Sequence, residues 1–187
     1  ETRRRLAAAF ALPFEAFEIV VIKVMGDDRS MVAADKPLKE IGNKGLFTRE
    51  IEEDLLAGKI DIAVHSMKDM PTVQPNGLIL ETYLPREDVR DAIVSPTGMA
   101  DVPATPVDPT DMLPAIAQGA IGIERRSDDS NTADMLAAIH NTPTGQRLAA
   151  ERQFLFTLDG SCETPIAGLA TLEGSTLTLT GEVLRPN

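Results

Sequence analysis

From Leu46 onward, apolar residues recur every fourth position at Phe47, Ile51 and Leu55, while Arg49, Glu50, Glu52 and Glu53 fall on the other side. That spacing predicts an amphipathic helix, and Gly58 predicts its stop. A different pattern precedes it: residues 17–25 are rich in β-branched side chains and run into Gly26-Asp27-Asp28, the signature of a strand and turn. Ile60 to Val64 predicts a short buried strand, and Leu78 to Leu84 and Ala92 to Val94 are further candidates. Strands alternating with helices predict an α/β domain with a largely parallel sheet.

Between Ser95 and Leu113 no period of 2 or 3.6 survives, and Pro96, Pro103, Pro106 and Pro109, with Pro114 just beyond, read as a linker. Residues 119–124 restore a strand. A helix is predicted from about Ser130 to His140, with Ser130 or Thr132 as cap, and Thr142-Pro143 supplies the N-cap and N1 signals of a second helix running to about Leu158. Residues 165–172 and 176–184 flank Glu173-Gly174-Ser175, and Leu177 and Leu179 alternate with threonines, so the tail predicts a β-hairpin. Arg3-Arg4-Arg5 before an apolar run imitates a signal peptide, but Pro13 interrupts the run and an amphipathic helix leading into a strand is the better reading. At the other end Leu184 to Asn187 follows a strand-like run directly, as at an edge of the available chain.

Composition narrows the classes. The chain has 187 residues with a formal net charge of -11, the wrong sign for general attraction to nucleic acid or anionic lipid. No apolar run approaches the ~18 residues needed to cross a bilayer. One cysteine excludes a disulfide scaffold and suits a reducing cytoplasm, and one cysteine with two histidines supplies no four-ligand Cys/His zinc site. No metal site is expected.

Three stretches carry candidate chemistry. In Ala63 to Thr72, His65, Ser66, Lys68 and Asp69 crowd the C-terminal end of a strand, where open α/β sheets place ligands. Ser66-x-x-Asp69 equally fits a capping box, and His65 has no spaced partner, which favours a packed or surface histidine. The second stretch, Leu158 to Ile166, holds the lone Cys162 among Gly160, Ser161 and Glu163. Free cysteines are commonly buried as small hydrophobes, but a glycine-serine approach leaves a thiol accessible as a nucleophile or attachment point. No motif supports a cysteine-protease dyad with His65 or His140. In the third, Leu113 to Glu124, the glycines either let a ligand approach the backbone or relieve a crowded strand.

Together, Ile41 to Thr48, Asp61 to Thr72, Arg86 to Ala92, Leu113 to Glu124 and the Cys162 loop resemble the porphobilinogen deaminase (hydroxymethylbilane synthase) family, in the family's order. The resemblance implies a transferase of tetrapyrrole and heme biosynthesis that joins four porphobilinogen molecules head to tail with release of ammonia, then frees hydroxymethylbilane. It implies a dipyrromethane cofactor on Cys162 through a thioether, Asp69 as the catalytic acid/base and electrostatic residue beside the pyrrole nitrogens, and Lys68 and Ser66 as cofactor-binding neighbours. Lys44 and Gln118 are candidates for the substrate cleft. The chemistry is coherent, because loss of ammonia leaves an azafulvene cation that a carboxylate stabilises and a thiolate can trap. A cytoplasmic monomer acting on a small molecule, without nucleic acid or membrane partners, is expected.

The implied fold is α/β in three domains: two resembling periplasmic binding proteins around a cleft, and a small α+β third domain bearing the cysteine loop. Residues 1–87 and 119–138 match domain 1, 88–118 a remnant of domain 2 with hinge segments, and 140–187 domain 3, incomplete at its C-terminus. Domain 2 is largely absent, and the family's arginine-rich segments would follow Ala104, where this sequence passes to Pro106-Val107-Asp108-Pro109. The family's N-terminal arginine-glycine-serine-proline stretch is missing too, and omitted residues are a better account than a deletion. Arginines matter here because the substrate's acetate and propionate groups bring negative charge to an acidic protein. Asn43 and Ala117 stand where glycine is common in the family. The rival readings are a non-enzymatic ligand-binding domain of the periplasmic-binding-protein type, which has no need of the cysteine loop, and an inactive relative.

Overall fold

A computed structural model describes residues 1–22, 48–93, 105–161 and 164–185. The helices are α1 (Thr2–Phe10), α2 (Arg49–Leu56), α3 (Ser130–Ala137) and α4 (Thr142–Thr157), and the strands are β1 (Ile62–Ser66), β2 (Leu78–Tyr83), β3 (Ala92–Ile93), β4 (Thr105–Pro106), β5 (Ile121–Arg126), β6 (Ile166–Glu173) and β7 (Thr176–Val183). The helix expected after Leu46 is α2. It ends as a Schellman motif: Gly58, at a φ of 69°, donates to the Leu55 carbonyl and Lys59 donates to the Asp54 carbonyl.

The central sheet has the order β1-β5-β2, and both pairings are antiparallel. Among the described residues the sheet has no parallel pair, where alternation led to the expectation of a largely parallel one. Alternation of elements does not fix strand direction, and β5 runs opposite to both of its partners. Residues 17–22 of the strand expected over 17–25 carry no ladder, and the remainder lies outside the described residues. Thr105 and Pro106, expected within a linker, pair with Ile93 and Ala92. Proline is tolerated in so short a strand, where few ladder bonds depend on its nitrogen.

Two caps differ from expectation by a residue or more. The side chain of Asp129, not Ser130 or Thr132, caps α3 by accepting from the Thr132 amide, and Asn141, not Thr142, caps α4 by accepting from the Thr144 amide at 3.0 Å. Both residues carry the short side-chain oxygen that suits the cap position.

Three apolar clusters hold these elements together. Leu55 of α2 packs with Ala63 and Leu78; Leu6 of α1 and Leu136 of α3 pack with Ile123 and Leu84; and a third cluster joins Met67, Met70 and Leu80 to Ile116, Leu148, Leu155 and Ile166. The third binds α4 and the β6–β7 hairpin to the central sheet. That hairpin is the one expected, but Glu173, expected in the connection, closes the strand opposite Thr176 and leaves Gly174-Ser175 as a two-residue turn.

Candidate active site

The chain leaves β1 with its alternate side chains buried, so Ala63 and His65 face inward while Val64 and Ser66 face out. A 3-10 turn over Met67–Asp69 follows, and Met67 drives into the core beneath Gly122, where an added Cβ would collide with its Sδ. Anchoring Met67 and Met70 inward leaves Lys68 and Asp69 exposed between them. Ser66 occupies the cap position of this turn without a side-chain cap bond, so capping does not account for the pair. Neither the Asp69 carboxylate nor the Lys68 ammonium has a hydrogen-bond or ion-pair partner among the described residues.

His65 has the partner that local sequence did not reveal. Its Nε2 lies 3.2 Å from Oε2 of Glu124, and both side chains are buried. Glu124 Oε1 has no hydrogen-bond partner among the described residues. Burial, with the Glu124 carboxylate nearby, pushes the Glu52 carboxyl of α2 above its ordinary value, and His65 opposes that shift. His65 is thus a packed histidine under the site.

The cysteine loop starts from α4. Asp159, at a φ of 50°, donates to the Phe156 carbonyl and Gly160 to the Leu155 carbonyl, a Schellman end with aspartate in the left-handed position. Gly160 lies against Leu155 and Ile166, and the Ser161 amide donates to Thr164 Oγ1 at 2.8 Å while the Thr164 amide returns to the Ser161 carbonyl at 3.0 Å. Cys162 lies outside the described residues, as does Lys44. The residues bracketing the two stretches share one core: Met67 and Met70 on the acid side, Leu155 and Ile166 on the cysteine side.

A buried charge ties these pieces to the segments on either side of residues 94–104. Glu151 of α4, fully buried, accepts both guanidinium arms of Arg86, at 2.6 and 3.0 Å, and the amides of Ala117 and Ala170 at 2.8 Å each. Arg86 Nε donates to the Gln118 carbonyl, and Gln118 Nε2 donates to the Val89 carbonyl. Gln118 therefore ties together the two segments that lead toward and away from residues 94–104. Gly119, at a φ of 74°, sits where a Cβ would come within 2.9 Å of the Asp88 carbonyl, so this glycine serves backbone packing. Ala117 adopts a φ of 62°, the left-handed region that favours the glycine common at this position in the resembled family.

Arg86, Glu151, Glu124 and Arg152 were not singled out from sequence. Glu151 had a signal, since Thr144, Leu148, Glu151 and Leu155 form the buried stripe of α4 and an acid in such a stripe implies a buried cation.

The family model for "Porphobilinogen deaminase, dipyromethane cofactor binding domain" matches residues 1–107, and that for "Porphobilinogen deaminase, C-terminal domain" matches residues 146–187. The chain belongs to the porphobilinogen deaminase family. The porphobilinogen deaminase of Paracoccus denitrificans (strain Pd 1222) is 46% identical over 252 residues, covering 100% of this chain and 79% of the relative. An alignment longer than the 187-residue chain means that the relative carries internal residues with no counterpart here, as expected from a largely absent domain 2. The cofactor of the matched domain is dipyrromethane. The residues present fit it: an exposed carboxylate without a partner among the described residues suits pyrrole N–H donors, and the methionines flanking it share a core with the segments bounding the cysteine loop.

Proposed function

We propose that this chain performs the family's reaction with Cys162 as the thioether attachment point and Asp69 as the catalytic carboxylate. Membership of the family makes the protein a transferase of tetrapyrrole and heme biosynthesis that polymerises four porphobilinogen molecules into hydroxymethylbilane, releasing ammonia. The match to a cofactor-binding domain sets aside the non-enzymatic binding-protein alternative. When bound, dipyrromethane supplies the electron-rich terminus from which the chain of pyrroles grows.

The observation that carries the reading is Asp69: an exposed carboxylate, held between two buried methionines and without an internal partner among the described residues. Such a group is available to accept pyrrole N–H bonds, hold negative charge beside a developing cation and exchange a proton with the departing amine. Lys68 and Ser66, exposed on the same turn, bind cofactor carboxylates and ring donors. Lys44 and Gln118 are assigned to substrate binding, Gln118 through its Oε1 because its amide nitrogen is engaged with Val89. Residues 1–87 and 119–138 make domain 1, 88–118 the hinge and domain 2 remnant, and 140–187 domain 3. The protein acts as a cytoplasmic monomer, and its net charge of -11 argues against nucleic acid and anionic membranes as partners. Among the described residues no helix is long and apolar enough to cross a membrane.

Intact mass tests the missing segment and the cofactor together. The purified polypeptide is expected well above 20.1 kDa, with the excess including arginine-rich residues near Ala104, and the peptide containing Cys162 is expected to carry two linked pyrrole rings. A polypeptide mass near 20.1 kDa would mean the deletion is real. In the full-length protein, Cys162→Ala should fold and lose both the added mass and the colour reaction with acidic aldehyde reagent. Asp69→Asn should keep the fold and the cofactor while turnover falls at least roughly 10²-fold, with Asp69→Glu retaining more. Near-normal porphobilinogen consumption by a folded Asn variant would remove Asp69 from the chemistry.

A further inference from the structure

Arg152 is a half-buried cation on α4, one residue past Glu151. It has no carboxylate partner among the described residues, since the Glu151 carboxylate is fully engaged by Arg86 and two amides. Its guanidinium instead donates to two successive backbone carbonyls, Met70 O at 3.2 Å and Pro71 O at 2.6 Å. Burial pushes the guanidinium below its ordinary value, with only the Tyr83 hydroxyl opposing, so this cation is desolvated without a counter-charge. Plain core packing would be served as well by an apolar side chain of similar length.

The two carbonyls follow Asp69 directly in the chain. Pro71 O also accepts from Gln74 Nε2 at 2.8 Å, so the turn is closed from within by Gln74 and from α4 by Arg152. The same helix ends at Thr157, five residues past Arg152, and the Gly160 amide completes the Schellman end from which the cysteine loop starts. One arm of the strut thus grips the acid-bearing turn, and the other is the rigid helix leading to Cys162.

We propose that Arg152 is a positioning residue: its fork on the Met70 and Pro71 carbonyls fixes where the turn presents Asp69 relative to the loop that carries Cys162. The role rests on the assignment of Asp69 and Cys162 made above. A planar fork bridging two carbonyls in fixed geometry is work for arginine, whereas the three donors of lysine radiate from one nitrogen on a flexible stem and hold no fixed spacing between the two carbonyls.

The test is a cycle of full-length Arg152→Met, Arg152→Lys, Asp69→Asn and the Arg152→Met/Asp69→Asn double variant, read by amide hydrogen exchange without substrate and by steady-state kinetics. Arg152→Met should speed exchange in the peptide spanning Ser66 to Gln74 by about 10-fold, with peptides from β5 and α3 unchanged. Its kcat should fall by about 10- to 10²-fold with KM within twofold, and Arg152→Lys should fall between it and the parent. In the Asp69→Asn background the same substitution should have no further effect on rate. Unchanged exchange, a rise in KM with kcat intact, or an equal loss of rate in both backgrounds overturns the role; the second of these would make Arg152 a ligand for substrate carboxylates. Should Arg152→Met not fold, Arg152→Lys carries the same exchange and rate comparisons. Normal turnover in Asp69→Asn overturns the Asp69 assignment and this role with it, whereas a crippled Asp69→Asn with unchanged exchange in Arg152→Met overturns Arg152 alone.

Discussion

Two arginines four residues apart make bidentate pairs with carboxylates, and they differ in almost everything else. Arg86 and Glu151 lie where the stretch before β3 meets α4 and β6, with side chains only 2% and 0% exposed, whereas Arg90 and Asp88 sit on the rim at 45% and 58%. At the junction every acceptor position of the carboxylate is used and three segments depend on it: the stretch before β3, the stretch before β5, and β6. On the rim both partners belong to one loop and water competes for each. Burial thus turns one kind of contact into a tie between distant segments and leaves the other as local decoration.

Removing one partner should expose the contrast most sharply at the junction. Glu151→Ala strands the buried Arg86 cation and the amides of Ala117 and Ala170, and is expected to cost about 3–5 kcal/mol in urea unfolding. A loss no larger than that of an ordinary surface substitution would mean that the junction opens readily to water. An intermediate effect is expected where a polar contact is only partly shielded: Asn141→Ala removes the acceptor for the Thr144 amide and the cap of α4, for about 1 kcal/mol by the same measurement. On the rim, Arg90→Ala should leave the unfolding midpoint unchanged at physiological salt. The Arg90 guanidinium holds the Asp88 carboxyl at about 2, below its usual 3.8, so whatever the pair contributes is present above 3.8 and is lost as pH falls through about 2. A midpoint that moved between pH 7 and pH 5 in the parent but not in Arg90→Ala would contradict this assignment.

The junction and the rim were unequally legible. Arg86 and Asp88 both fell within a stretch resembling the family, but nothing local distinguished the deeply buried arginine from the exposed one, because its partner is 65 residues away in sequence. Asp69 and Lys68 were legible as a motif on a strand end, and the structure shows how the flanking Met67 and Met70 hold them outward. His65 is packed, as its lack of a spaced partner led one to expect, and its partner Glu124 is invisible in the local sequence because it lies 59 residues on and meets His65 only through the antiparallel β1–β5 pairing.

What the sequence determined by itself acts over a few residues. The four-residue spacing of Phe47, Ile51 and Leu55 and the stop at Gly58 specify α2, the threonine-leucine alternation around Gly174-Ser175 specifies the β6–β7 hairpin, and the cysteine between Ser161 and Thr164 marks its loop. Periodicity and turn chemistry are local steric and hydrogen-bonding preferences, so they survive without the rest of the chain. Strand direction, the His65–Glu124 and Arg86–Glu151 pairs and the grip of Arg152 on the Asp69 turn were decided only by tertiary structure. Each depends on packing that brings remote segments together and removes water from between them, and the strength of a charged or polar contact depends on that removal more than on which residues make it.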